Sequence, residues 1–453
     1  MSPVRRFLHL LVFLGSVALG GQGAGRLIAL DEPGWPQFRG PRRDAICRET
    51  GLLEWWPEGG PAVLWERGDI GRGYSSPTIV RDTLYITGDV GDDLVIFAFD
   101  LAAGGDDEAS APPVKWRTTN GRAWKRSHPG ARATCTYAGG RLYHMNAHGR
   151  VACLEAATGK ELWAVDVLER FEGRNIQWGL SECLLVDGER VMVTPGGKKA
   201  LMAALDRDTG ETLWTTPPLE FLRTYRFGGK EVDPPRRDVD AAGYASPVLF
   251  EMDGRRLLCR SAGQHIFCVD ADSGTLVWKH KVYARFEVIG SMPVFCGDGV
   301  FFTASDEYGG HYFRVRVEGG AVRFAEAWET PVDDCHGSFV CVEGHIYGSG
   351  YRRFKPWVCL DVATGEMEYQ KADLAIGAPL WADGRLYALS QRGRLALLEP
   401  TPGGFRTRGQ FQFTRRRKAD CWAHPVILDG RLYLRYHDRL VCYDVRATKG
   451  SVR

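Results

Sequence analysis

One pattern recurs along almost the whole chain. An apolar strand leads into an acid and a Thr-Gly or Ser-Gly turn, and an aromatic residue follows, as in VACLEAATGKELW at residues 151–163. Eight aromatic residues end these units: Trp65, Trp116, Trp163, Trp214, Trp278, Trp328, Tyr369 and Phe411. Successive endpoints lie 41 (328 to 369) to 64 (214 to 278) residues apart. This spacing predicts a propeller, because one blade of four short strands needs about 40–50 residues.

Between these endpoints, short strands alternate with DG, GG and TG turns, and helical periodicity is almost absent. The units begin near Tyr74, Arg132, Leu180, Tyr244, Gly290, His336, Ile376 and Trp422. We therefore expect an all-β fold, an eight-bladed β-propeller with four-stranded blades. The eighth unit has no aromatic outer strand, whereas Trp65 precedes the first unit. An N-terminal outer strand around 63–65 is expected to close the ring and leave no open edge.

The turn motif itself is predicted to be structural. The carboxylate and the oxygen of the Thr hydroxyl can accept hydrogen bonds from nearby backbone N–H groups, and Gly takes the position with positive φ. The tryptophan offers a large apolar surface to the next blade. A catalytic group has no reason to recur around a ring, so the motif indicates blade packing and not a repeated site.

The N-terminus has the features of a secretory signal peptide. Arg5 and Arg6 precede an apolar core at 7–19, which is too short for a membrane span, and small residues follow. The expected parts of the chain are a signal peptide at 1–25, an N-terminal extension at 26–62, the propeller at 63–446 and a tail at 447–453. We expect an exported protein, periplasmic or extracellular, with no transmembrane span in the mature chain; an uncleaved anchor is the alternative.

Charge and cysteine content narrow the possible partners. A net charge of +2 over 453 residues does not favour nucleic acid as a partner, and we expect a monomer. Several of the twelve cysteines occupy equivalent slots in different blades, where a small apolar side chain fits. Cys135 and Cys183, on successive inner strands, form the candidate disulfide. No C-x-x-C-H motif is present, so covalent haem is not expected.

The GRLY-type strand, the C-L-D-x-x-T-G-x-x-x-W turn and the docking tryptophan, repeated from Trp65 to Asp444, resemble the quinoprotein-type (PQQ-like) β-propeller family. The segment WPQFRGPRRDAICRETGLLEWWP at 35–57 is similar to PQQ-like repeat proteins of planctomycete-type bacteria. The family includes PQQ-dependent alcohol dehydrogenases and the outer-membrane assembly lipoprotein. The resemblance therefore implies the fold without fixing the function.

The resemblance also bears on cofactors. The family's dehydrogenases hold PQQ between an adjacent-cysteine disulfide and a tryptophan, with Ca²⁺ bound by carboxylate and amide oxygens. This chain has no adjacent cysteine pair, and no calcium ligands can be assigned by motif. We therefore expect no cofactor, with PQQ plus calcium as the alternative.

The candidate site is the channel mouth, where residues flanking the small residue of each inner strand should converge. Tyr74, Tyr244 and Trp422 are expected to give stacking surfaces. Arg132, Glu182, His336 and His424 are the expected polar contacts. This mixture suits a flat ligand such as a sugar ring or quinone, or a peptide loop. The alternative is that the aromatic side chains pack between blades and the polar ones are solvated.

Charge is mixed at the expected mouth. Basic loops at 117–126, 279–285 and 414–418 share this side with acids at 88–93 and 332–334. Anionic glycans or envelope proteins are the expected partners. The longest insertion, at 215–243, is expected to be a lid or a partner contact.

These features favour a non-enzymatic binding or assembly scaffold. A divergent PQQ-dependent oxidoreductase and a carbohydrate-binding accessory protein are the alternatives. A dehydrogenase should take up a chromophoric cofactor, a scaffold should bind envelope proteins, and a carbohydrate-binding protein should use the mouth aromatics to hold glycans.

Overall fold

The structure is a computed structural model that describes residues 25–104, 111–226, 228–284, 286–306, 308–352, 354–414 and 420–447. The expected signal peptide, apart from its last residue, and the expected tail, apart from its first, lie outside the described residues. Residues 415–418 of the basic loop at 414–418 lie outside them as well.

Short strands dominate the described chain. Three of them precede the first blade: β1 (Arg26–Leu27), β2 (Ile46–Cys47) and β3 (Ala62–Arg67). Blade 1 contains β4 (Thr78–Val80), β5 (Thr83–Val90), β6 (Asp93–Asp100) and β7 (Val114–Arg122). Blade 2 contains β8 (Thr136–Ala138), β9 (Arg141–Met145), β10 (Arg150–Glu155) and β11 (Glu161–Asp166), followed by the helix α1 (Val167–Arg170). Blade 3 contains β12 (Leu185–Asp187), β13 (Arg190–Val193), β14 (Met202–Asp206) and β15 (Thr212–Thr216).

A separate hairpin then leads into the second half of the ring. It is formed by β16 (Glu220–Arg226) and β17 (Lys230–Val239). Blade 4 contains β18 (Val248–Met252), β19 (Arg255–Ser261), β20 (His265–Asp270) and β21 (Leu276–Lys281). Blade 5 contains β22 (Val294–Cys296), β23 (Gly299–Ala304), β24 (Gly309–Glu318) and β25 (Ala321–Thr330).

The last three blades follow the same plan. Blade 6 contains β26 (Phe339–Val342), β27 (His345–Ser349), β28 (Trp357–Asp361) and β29 (Met367–Lys371). Blade 7 contains β30 (Gly377–Ala382), β31 (Arg385–Ser390), β32 (Arg394–Thr401) and β33 (Gly404–Gln412). Blade 8 contains β34 (Val426–Leu428), β35 (Arg431–Tyr436) and β36 (Arg439–Asp444).

The N-terminal strand β3 completes blade 8. It pairs antiparallel with β36, and Trp65 lies opposite Cys442. The sheet order in this blade is β3-β36-β35-β34, so the outer strand comes from the start of the propeller and the other three from its end. The predicted all-β fold, the eight blades and the ring closure are confirmed.

The repeated turn joins neighbouring blades. In blade 3, Oδ1 of Asp206 accepts hydrogen bonds from the backbone N–H groups of Asp208 at 2.9 Å and Thr209 at 2.8 Å. Gly210 follows with a φ of 74°. Nε1 of Trp163, from blade 2, donates to the backbone carbonyl of Arg207 in this turn at 3.0 Å. The turn and the tryptophan are therefore a blade-to-blade joint, as the sequence predicted.

All twelve cysteines are free thiols. Cys153, Cys268, Cys359 and Cys442 are buried in the third strands of their blades, where they pack as small apolar residues. The candidate disulfide between Cys135 and Cys183 is not formed. Instead, Sγ of Cys183 accepts a hydrogen bond from the backbone N–H of Thr134 at 3.2 Å, which joins the inner regions of blades 2 and 3.

The insertion at 215–243 is mostly the β16–β17 hairpin, and its first two residues belong to β15. Arg223 fixes the hairpin at its base. Its guanidinium bonds to Asp238 at 2.6 Å and also pairs with Glu287 in the loop that leads into blade 5. The hairpin is thus tied to the ring, whereas its expected role as a lid or partner contact stays a prediction.

The N-terminal extension is integrated into the propeller. β1 adds to the inner strand β18 of blade 4, and β2 pairs in parallel with the inner strand β30 of blade 7. The segment between them therefore crosses the central channel. No helix in the described ranges is long and apolar enough to span a bilayer.

Candidate functional site

A cavity of about 420 Å³ lies on the propeller axis. It opens on the face formed by the loops that lead into the inner strands, which we call the entry face. The cavity is lined by six of the seven residues predicted for the site: Tyr74, Arg132, Tyr244, His336, Trp422 and His424. The volume falls in the range of about 300–1,000 Å³ that is usual for small-molecule sites.

Trp422 is the centre of an aromatic cluster on one wall of the cavity. Its ring centroid lies 5.0 Å from that of Tyr74 and 4.9 Å from those of His128 and His336. These rings come from the entry loops of blades 8, 1, 2 and 6. Tyr244 lies on another part of the lining, with its hydroxyl accepting a hydrogen bond from the backbone N–H of Trp178 at 3.2 Å. Aromatic surfaces at several points around the cavity favour a flat ligand.

One polar atom of this wall, Nε1 of Trp422, is buried without a hydrogen-bond partner among the described residues. A buried donor without an acceptor is costly, by about 1–3 kcal/mol. A ligand or an ordered water in the cavity could supply the missing partner.

The two predicted histidines are held in the neutral form. Burial lowers the pKa of His336 and, to a greater degree, that of His424. Nδ1 of His424 faces the guanidinium of Arg39 at 3.5 Å, and Nε2 lies 3.4 Å from the backbone carbonyl of His336. Because a guanidinium only donates, Nδ1 is the acceptor and Nε2 carries the proton. At neutral pH both rings are therefore uncharged, and both ring nitrogens of His424 are engaged within the wall.

Arg132 lines the cavity, but its hydrogen bonds are used within the wall. Nε donates to the carbonyl of Trp178 at 2.7 Å, and the terminal nitrogens donate to the carbonyls of Gly130 at 2.6 Å and His128 at 2.8 Å. The guanidinium also lies 6.0 Å from the ring centre of Tyr74. Arg132 therefore shapes the entry loop of blade 2 and contributes positive potential, with few donors left for a ligand.

Arg352 is a cavity residue that the sequence-based site did not include. Its side chain is 52% exposed and its guanidinium lies 5.6 Å from the ring centre of Phe286 and 5.5 Å from that of Tyr351. Nε is 3.3 Å from the carboxylate of Asp306, which is almost fully buried. The hairpin of blade 6 thus places a partly exposed cation on the rim of the cavity.

Glu182 is the one predicted site residue that does not line the cavity. Its side chain is buried with that of Arg260, and the two lie 2.5 Å apart. Oε2 of Glu182 also accepts a hydrogen bond from the backbone N–H of Thr194 at 3.0 Å. Glu182, which we expected to contact a ligand, instead forms an ion pair with Arg260 of the neighbouring blade. This pair joins the inner parts of blades 3 and 4.

The floor of the cavity comes from the N-terminal extension. We call residues 35–47 the floor segment. Phe38 lines the cavity, and its ring packs edge-on against His424 with a centroid distance of 4.8 Å. Arg39 donates to the carbonyl of Phe339 in blade 6, and Arg43 donates to the carbonyl of Cys183 in blade 3 at 2.7 Å. The segment therefore spans the channel and makes the cavity a blind chamber.

Sequence reasoning missed the floor segment because it lies outside the repeat. The spacing that located the entry loops says nothing about residues 35–47. One signal was present: the segment carries Trp35, Phe38, Arg39 and Arg43 in a short stretch that is rich in side chains able to anchor it. Both arginines are buried, and burial lowers their pKa to about 10, so they remain charged at neutral pH.

The protein is an eight-bladed propeller whose central channel is open at the entry face and closed by the floor segment. The model of the family described as outer membrane protein assembly factor BamB matches residues 114–227 and 236–452. This match covers more than half of the chain, which therefore belongs to this PQQ-like propeller family. No curated protein matches the chain.

Solved structures show the same fold at low sequence identity. BamB from Moraxella catarrhalis is 13% identical, with a TM-score of 0.54, and the match covers 84% of this chain and 95% of that protein. The quinohemoprotein alcohol dehydrogenase from Comamonas testosteroni is 11% identical, with a TM-score of 0.56 and coverages of 93% and 82%. A computationally designed protein, Ika8, is 10% identical, with a TM-score of 0.53 and coverages of 85% and 100%. An assembly factor, an enzyme and a design thus share the architecture, which does not by itself assign a function.

Proposed function

We propose that this protein is a non-enzymatic binding scaffold that holds a flat ligand in the chamber of its entry face. The observation that carries the proposal is the blind chamber of about 420 Å³, walled by aromatic and neutral histidine rings and floored by Phe38. A chamber closed below admits a compact ligand and excludes a chain threaded along the axis.

The polar groups of the chamber favour a ligand with acidic substituents. Arg352 is partly exposed on the rim, and Arg132 adds positive potential from within the wall. Asp306 is the acidic residue in this part of the cavity wall, and its Oδ1 lies 3.3 Å from Nε of Arg352. A flat ring with a carboxylate could stack on the aromatic wall and direct its charge toward Arg352, since guanidinium and carboxylate groups bind each other well.

PQQ is a flat polycarboxylate, so its ring system suits the aromatic wall. The calcium ion that accompanies it in dehydrogenases needs about six to eight oxygen ligands. Among the residues that line the chamber, the acidic side chain is Asp306, which is already paired with Arg352, and Gln391 offers one amide. The chamber therefore fits a flat quinone-like ring and does not fit its calcium. A PQQ-dependent oxidoreductase remains the alternative function, and a carbohydrate-binding accessory protein remains the third.

We further propose that the protein acts outside the cytoplasm and presents the propeller to envelope proteins. The family description as an outer membrane protein assembly factor supports this setting. Anionic glycans are the second candidate partners, because basic side chains such as Arg352 lie on the entry face.

The ligand proposal is tested by titrating PQQ into the protein, with and without Ca²⁺, while following tryptophan fluorescence. PQQ serves here as a probe for flat acidic ligands and not as a catalytic cofactor, and we expect saturable quenching that does not depend on calcium. Trp422→Phe should reduce both the quenching amplitude and the affinity, because it removes the indole at the centre of the cluster. Trp55→Phe is the matched control, since Trp55 is 47% exposed and does not line the chamber.

Equal quenching and affinity in the wild type and in Trp422→Phe would refute the chamber as the binding site. A dye-linked alcohol oxidation assay on the same samples separates the two main functions. The scaffold proposal predicts no turnover, whereas calcium-dependent turnover would establish the oxidoreductase. Saturable binding of neutral oligosaccharides in place of PQQ would instead establish the carbohydrate-binding function.

A further inference from the structure

The outer half of blade 6 brings together three side chains that commonly bind metals. His345 begins β27, Cys359 lies in β28, and Glu368 lies in β29. Their donor atoms all lie within 4.8 Å of one another. We propose that His345, Cys359 and Glu368 form a site for a divalent transition metal, with Zn²⁺ as the best match. The site lies outside the chamber and does not depend on the proposed function.

The distances fit a tetrahedral ion. Oε2 of Glu368 lies 3.3 Å from Sγ of Cys359 and 3.3 Å from Nε2 of His345. Zinc bonds of about 2.3 Å to sulfur and about 2.0–2.2 Å to nitrogen and oxygen place tetrahedral ligand atoms roughly 3.3–3.6 Å apart. Two of the three ligand-to-ligand distances therefore already match a bound ion, and the donor atoms of Cys359 and His345 lie within 4.8 Å of each other.

The orientation of His345 also fits. Its Nδ1 lies 3.0 Å from the backbone carbonyl of Glu343, which can accept the Nδ1 proton, so Nε2 is the ring nitrogen available to a metal ion. Metal-binding histidines usually make such a hydrogen bond through their second ring nitrogen, because it fixes both the tautomer and the ring orientation. Nε2 is the atom that points to Glu368.

The repeat provides an internal comparison. In blade 2 the equivalent positions hold Arg141, Cys153 and Leu162, as the strand registers show. In blade 6 the same registers hold His345, Cys359 and Glu368. Blade 8 keeps the blade 2 pattern, with Arg431, Cys442 and Leu64. Blade 6 thus departs from this pattern at two of three positions, and both changes introduce metal-binding residue types.

The exposure of two of the three ligands indicates an open site. Cys359 is buried, whereas the side chains of His345 and Glu368 are 33% and 39% exposed, so a bound ion would keep one coordination position for water or a partner's group. Without metal the thiol donates to Glu368. Binding forms a Zn–S bond and releases the thiol proton to solvent.

Cobalt absorption spectroscopy tests the site, because a thiolate bound to Co²⁺ gives a charge-transfer band that reports sulfur coordination. We expect one Co²⁺ per protein with this band, and displacement of Co²⁺ by Zn²⁺. His345→Arg and Glu368→Leu restore the residues of blade 2 and should preserve the fold. Each should weaken Co²⁺ binding by more than about 10–100-fold, the loss that follows from removing even an outer partner of a ligand.

Cys153→Ser is the matched control, because it changes the equivalent cysteine of a blade that lacks the other two ligands. It should leave the band unchanged. Absence of the thiolate band in the wild type would overturn the proposal, as would unchanged affinity in both His345→Arg and Glu368→Leu. A second cluster in blade 5, His311 with Glu326 and Glu329, contains no sulfur and cannot produce the band.

Discussion

The buried pair of Glu182 and Arg260 gives the sharpest prediction about stability. The side chains of Glu182 and Arg260 are 1% and 0% exposed. The remaining bonds of Arg260 go to the backbone carbonyls of Ser261 at 3.1 Å and Gly243 at 3.2 Å. The carboxylate of Glu182 also helps to hold the charge on Arg43 in the floor segment. Glu182 is therefore the acidic partner of the buried guanidinium group of Arg260.

Glu182→Gln keeps the size of the side chain and its bond to Thr194, but it leaves Arg260 charged in an apolar environment. Removing one partner of a buried ion pair costs about 3–5 kcal/mol. We expect a loss of this size in the free energy of unfolding, measured by urea denaturation with tryptophan fluorescence. Ligand binding to the chamber should be retained in the folded protein, because Glu182 does not line it.

The double variant Glu182→Leu with Arg260→Met separates the charge effect from packing. Replacing both charges by apolar groups of similar size is often nearly neutral, so the double variant should be more stable than Glu182→Gln. A loss below about 1 kcal/mol for Glu182→Gln would refute the buried-pair reasoning. A double variant that is less stable than either single change would refute it as well.

Three further predictions follow from the joints, the buried histidines and the metal site. Gly210→Ala should destabilise the protein by about 1–3 kcal/mol more than Gly384→Ala in urea denaturation. Both glycines have φ near 75°, but a Cβ at Gly210 would lie 2.7 Å from Trp163, whereas a Cβ at Gly384 would meet no atom within 4 Å. Equal losses would refute the role of the turn and the tryptophan in joining the blades. Burial lowers the pKa of His144 to about 3, so on acidification the unfolded chain binds this proton before the folded protein does. The stability of the folded protein should therefore fall as the pH is lowered from about 6.5 to 3, by up to about 1.4 kcal/mol per pH unit. Thermal unfolding of His144→Gln should show a flatter pH dependence, and an unchanged pH dependence would refute this role of His144. Zn²⁺ binding should release one proton from Cys359, as calorimetry in two buffers of different ionisation enthalpy would show, and no release would contradict thiolate ligation.

The repeat made most of the fold predictable. Aromatic endpoints such as Trp163 mark one joint per blade, and the position of Trp65 ahead of the first blade indicates how the ring closes. The small residue of each inner strand also located the entry loops, and Tyr74, Tyr244 and Trp422 from these loops line one chamber. Periodicity works here because each blade buries the same positions against its neighbours.

The same reasoning could not separate ligand contacts from internal pairs. Glu182 and His424 both follow the small residue of their inner strands, yet only His424 lines the chamber. Glu182 does not line the chamber because it pairs with Arg260 of the next blade. The sequence around Glu182 contains no local pattern that predicts this contact. Arg132 shows a related limit, because its donors are used by loop carbonyls whose positions depend on the folded loop.

The most direct test of the ligand chamber is a crystal structure of the protein soaked with PQQ. We expect one PQQ molecule in the chamber, with its ring against Trp422, a carboxylate toward Arg352, and the floor segment in place beneath it. Density for PQQ outside the chamber, or a floor segment displaced to give a through channel, would refute the chamber as the ligand site.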